Sequence, residues 1–131
     1  MIYQKLLDTQ THLLELVQLL QAMHQEGEQL INAGYNDVNL PFIDTALTNL
    51  NLLAQQLETG ILTQDVMLVI YVLLSIDSAN RYFSETDLDW SNAWHSSPAF
   101  DVLQTSITTL LYEERLHEKP DLLKNSFQTK I

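Results

Sequence analysis

The residues best suited to metal chemistry are Glu114 and His117. A Glu-x-x-His spacing sets a carboxylate and an imidazole on one helix face, as di-iron helical bundles use it. Such a site needs the motif twice, with a Glu from each of two further helices, and the chain carries it once. With Glu113, Glu118 and Lys119 around it, the segment reads as a solvated helix end. Asp87-x-Asp89-x-Ser91 has the opening of a calcium loop, but Asn92 and Pro98 stand where that loop needs Gly and Glu. Glu113 and Glu114 are neighbours in sequence and diverge on a helix, so they form no acid–base pair by themselves. His24 falls on the apolar stripe of the first helix. There it is either a catalytic or pH-sensing group or, more commonly, a core histidine bonded to a neighbour. His12 and His95 have no partner at a recognisable spacing.

Other chemistries lack their residues. The three glycines (Gly27, Gly34, Gly60) are isolated, so no phosphate cradle or dinucleotide fingerprint exists. None of the eight serines lies in a nucleophile elbow. Cysteine is absent, which excludes disulfides, thiolate zinc sites, iron–sulfur clusters and a cysteine nucleophile. The residues point to a protein that is not an enzyme and holds no metal or cofactor.

Recognition is better represented. Tyr82, Phe83, Trp90, Trp94 and Phe100 are five of the eleven aromatics, and they interleave with Glu85, Asp87 and Asp89. Aromatics anchor interfaces and carboxylates pair with Arg or Lys of a partner. Glu85, Asp87, Asp89, Trp90 and Trp94 are therefore the expected partner-binding residues. The alternative is that this segment folds back and its tryptophans cap the core, since large indoles are mostly buried.

The charge balance says what such a partner would be. Seventeen Asp and Glu face six Lys and Arg among 131 residues, a net charge of -11. No Lys or Arg occurs between Lys5 and Arg81, or between Arg81 and Arg115. Direct binding to nucleic acid or an anionic membrane needs cations that are missing here. A basic protein would be drawn in. In size and charge the chain resembles a bacterial immunity protein, an antitoxin or a nucleic-acid-mimicking inhibitor. That resemblance implies carboxylates standing where phosphates stand on the partner's natural target, the partner being a basic toxin or nuclease domain. Two alternatives stay open. One is a structural module forming homo-oligomers through Leu7, Leu14 and Leu19. The other is a small-molecule-binding or enzymatic bundle with a polar site near His24.

The elements positioning these residues follow from apolar periodicity. Ile2, Leu6, Leu13, Leu16, Val17, Leu20 and Met23 form one stripe of a helix from about Tyr3 to Gln25, extendable to Ala33, with Gly27 fraying it. Ile43, Ala46, Leu47, Leu50, Leu53, Ala54 and Leu57 predict a second helix over Leu40–Glu58, with Gly60 as the left-handed residue past its end. Thr63 then caps a third helix to about Phe83. Val66 to Leu74 is apolar on every side, as in a helix buried in the middle of a bundle. An Asp77–Arg81 pair sits at i,i+4. A long acidic aromatic loop, 84–97, leads to a fourth helix opened by Ser97 and Pro98 and buried through Phe100, Leu103, Ile107, Leu110 and Leu111. It ends before Pro120, and Asp121 to Phe127 adds a short terminal helix. The expected architecture is an all-α, antiparallel bundle of about four main helices in a single domain, 1–131. The longest apolar run, Val66 to Ile76, falls short of the roughly 18 residues of a membrane span. The first residues lack a signal-peptide pattern, and a cytoplasmic protein is expected.

Overall fold

The computed structural model describes residues 2–35, 40–84 and 98–128. Its helices are α1 (Ile2–Asn32), α2 (Leu40–Thr63), α3 (Val66–Ser84), α4 (Pro98–Thr108) and α5 (Pro120–Gln128). A π-helical segment, Thr109–Glu113, continues α4. The fold is all-α, with no strand among the described residues. One apolar core draws side chains from every helix. Among the described residues no helix is long and apolar enough to cross a membrane.

The α1 stripe is buried as its spacing demands: Leu6, Leu13, Leu16, Val17, Leu20 and Met23 all lie in the core. Thr9 shares that face and is fully buried. Its hydroxyl donates to the Lys5 carbonyl (2.8 Å) and shares a second hydrogen bond with the Ser106 hydroxyl (2.9 Å), joining α1 to α4. Gly27 does not fray the helix; it is buried within it, and α1 runs on to Asn32. There Gly34, at φ 98°, closes the helix. The Gly34 N–H donates to Ile31 O and the Tyr35 N–H to Leu30 O, the paired bonds of a Schellman end. Leu7 and Leu19 pack partly on the core, while Leu14 remains exposed.

The α2–α3 junction departs from its expected form. α2 continues through Gly60 to Thr63, and the left-handed residue is Gln64, at φ 55°. Gln64 and Asp65 donate back to Ile61 and Gly60. Thr63 ends α2, donating its hydroxyl to Thr59 O (2.7 Å); the cap of α3 is Asp65, whose carboxylate accepts the Leu68 N–H (3.1 Å). Gly60 serves another purpose. A two-residue link folds α3 directly against α2, and a Cβ at Gly60 would stand 2.8 Å from Val69 Cγ2.

The all-round apolar reading of α3 also needs correction. Val69, Ile70, Val72, Leu73 and Ile76 are buried, but Met67, Tyr71 and Leu74 are exposed. Among the described residues none covers this apolar face of the helix.

α4 buries Phe100, Leu103 and Ile107 as expected. Winding then widens: Glu114 N–H donates to Thr109 O (2.8 Å), five residues back. The wider turn lets Leu110, Leu111 and Leu116 all reach the core. Arg115, at φ 58°, ends the segment. Glu114 and His117 therefore do not share a helix face. α5 closes the base through Leu123 and Phe127, whose ring meets Tyr3 edge-on at 6.1 Å.

Candidate functional site

The antiparallel walls of α2 and α3 leave a groove of about 1010 Å³ on the outside of the bundle. Leu52 and Leu53 from α2 and Tyr71 and Leu74 from α3 are among its lining residues. Leu52 is 53% exposed, Tyr71 60% and Leu74 41%. Thr45, Thr48, Asn49 and Gln56 from α2 and Ser75, Ser78 and Ala79 from α3 line it as well. Met67, 65% exposed and one turn before Tyr71, extends the same stripe of α3. Tyr82 lines its far end. Exposed apolar side chains occurring singly are ordinary on a protein surface. Here several line one groove between two helices, and that groove is the candidate site.

The electrostatics of the walls are one-sided. α2 has no Lys or Arg, and α3 has only Arg81. Among the described residues that line the groove, the single formal charge is the carboxylate of Asp44. Arg81 is directed toward α4. It makes a 3.1 Å ion pair with Asp77, as the i,i+4 spacing predicts, and donates to the Tyr112 hydroxyl (2.8 Å). Asp77 is buried and accepts from Tyr112 (2.7 Å) and from the Gln104 amide (3.3 Å). Asn80, also buried, donates to Gln104 Oε1 (2.8 Å). The hydrogen bond to Asp77, then desolvation and the Asp77 charge, hold the Tyr112 hydroxyl above the usual tyrosine pKa. This polar cluster fixes α3 against the π-helical end of α4. Sequence spacing could not reveal it, because Asp77 and Tyr112 lie 35 residues apart.

His24 is half-buried rather than enclosed in the core. Its Nε2 lies 2.6 Å from Asp44 Oδ1 and its Nδ1 lies 3.2 Å from Glu28 Oε1. Both ring nitrogens thus face carboxylates, and the contact ties α1 to the start of α2 beside the groove. Glu114 pairs with Lys5 (2.5 Å), and His117 Nδ1 lies 2.8 Å from the Leu111 carbonyl. Glu118 is held below the usual carboxylate range by its hydrogen bond and ion pair with Arg115. Among the described residues no three His, Asp or Glu side chains converge on a point that could hold a metal.

Glu85, Asp87, Asp89, Trp90 and Trp94, the partner-binding residues expected from sequence, lie outside the described residues. The groove was missed because its α3 wall reads as a core helix. Its one sequence signal is that Met67, Tyr71, Leu74 and Tyr82 recur at helical spacing beyond the face that Val69, Leu73 and Ile76 occupy. No protein-family model, curated protein or solved structure matches the chain.

Proposed function

We propose that this chain is a non-enzymatic protein-binding module that neutralises or escorts a basic protein partner. The observation that carries the reading is the exposed apolar groove between α2 and α3, whose described residues include an acid and no Lys or Arg. An apolar surface supplies the driving force for association, and the acidic field selects a cationic partner and speeds encounter. An immunity-protein or antitoxin-like inhibitor, working in the cytoplasm on a toxin or nuclease domain, is the form of this reading that size and charge favour. The acidic aromatic segment with Glu85, Asp87, Asp89, Trp90 and Trp94 is a second contact surface in the same proposal.

The test is affinity capture with the purified chain at low and at physiological salt, followed by purification of each captured protein and direct titration. Binders of net positive charge whose Kd rises with salt are expected. Binders that are neutral or acidic, or affinities indifferent to salt, refute the reading.

A further inference from the structure

We infer that the α2–α3 groove receives a single amphipathic helix of the partner, apolar face down, with Lys or Arg along its flanks. The inference rests on the protein-binding reading above and specifies its mode.

Three observations carry it. The first is shape. The groove runs between Asp44 and Gln56 on α2 and between Tyr71 and Tyr82 on α3. At 1.5 Å per residue each wall is roughly 16–18 Å long, the length of about three helical turns. Two packed helices with a largely apolar groove between them can receive a third helix presenting side chains at i, i+3, i+4 and i+7. The second is chemistry across the groove. Its lining combines leucine, alanine and tyrosine with Thr, Asn, Gln and Ser, which can hydrogen-bond to a seated helix without imposing a charge. The third is charge. Lys and Arg are missing from α2, and the lone cation of α3 is committed to Asp77 and Tyr112. Asp44 marks one end of the groove. Among the described residues no Lys or Arg lines the groove to repel a basic helix. A second copy of this chain would instead bring another net charge of -11 to the same face.

The test uses two display libraries of helical peptides of about 16 residues, long enough to form a helix on binding. Both carry varied apolar residues at i, i+3, i+4 and i+7. One has Lys or Arg at the remaining positions and the other has Glu. Panning on the full chain is expected to enrich the basic library alone. The best peptide is then titrated against Leu52→Ser and Leu74→Ser, and against Leu14→Ser and Leu62→Ser as exposed controls outside the groove. About tenfold weaker binding is expected for each groove substitution, with the controls unchanged. A basic peptide whose Kd ignores the groove substitutions overturns this inference while sparing the basic-partner reading. Enrichment of the acidic library, or of neither, overturns both. A dimer that Leu52→Ser and Leu74→Ser dissociate would make a second copy the occupant and refute the inference. Tighter peptide binding after Trp90→Ala with Trp94→Ala would identify a competing segment of the chain itself, and would refute it equally.

Discussion

Gly60→Ala inverts an ordinary rule and so tests the packing that builds the groove. In a helix interior, alanine is favoured over glycine by about 1 kcal/mol. Here the new Cβ would stand 2.8 Å from Val69 Cγ2, 3.4 Å from Val69 N and 3.5 Å from Leu68 Cγ. Val69 is fully buried, and a β-branched side chain in a helix has one strongly preferred rotamer, so the methyl has nowhere to turn. Overpacking of this kind costs about 1–3 kcal/mol, enough to cancel or exceed the propensity gain. In a Val69→Ala background the obstructing methyl is gone, and the same substitution is expected to stabilise by about 1 kcal/mol. The coupling between the two sites should therefore be about 1–3 kcal/mol. Urea unfolding of the four proteins, compared at constant m, measures it. Stabilisation by Gly60→Ala in the native background would show that α2 and α3 do not approach this closely. Equal destabilisation in both backgrounds would show that Gly60 is required for its backbone conformation, as at a left-handed helix end.

Three further outcomes follow from named contacts. Asp77→Ala strands Tyr112, Gln104 and Arg81 together and should cost about 3 kcal/mol in urea unfolding; a loss under 1 kcal/mol would show the cluster to be ornamental. Tyr112 should ionise above the ordinary tyrosine value when phenolate absorbance is followed, and Asp77→Asn should lower its pKa. Because its folded pKa is raised, the stability it adds is complete below the ordinary value of 10.0 and is lost as pH rises through the folded value; stability rising over that window would contradict the assignment. Gln64→Gly relieves a left-handed glutamine and should stabilise by up to about 1 kcal/mol, whereas a destabilised variant would place the α2 end elsewhere.

Local physics was legible in the sequence and long-range contact was not. The α1 and α2 stripes, the Asp77–Arg81 pair and the buried face of α4 all arise from spacings of three and four, which one helix enforces on its own. Gly60 misled because glycine serves both helix ends and close helix approach, and only the position of Val69 decides between them. The π-helical turn left no mark because it answers the joint demand of Leu110, Leu111 and Leu116 for the core. α3 is the instructive case. An apolar circumference says that a helix shuns water on every side, but not whether its last face meets its own chain or another. Packing around Val69 and Leu73 leaves Met67, Tyr71 and Leu74 outside, and that remainder defines the candidate site.

The most direct measurement is backbone amide mapping by NMR with the best basic amphipathic peptide, titrated into the isotope-labelled chain. Shift changes concentrated on 44–56 and 71–82, shrinking as salt is added, are the expected result. Changes centred on α4 and α5, with the α2 and α3 amides unmoved, would contradict the assignment of the groove.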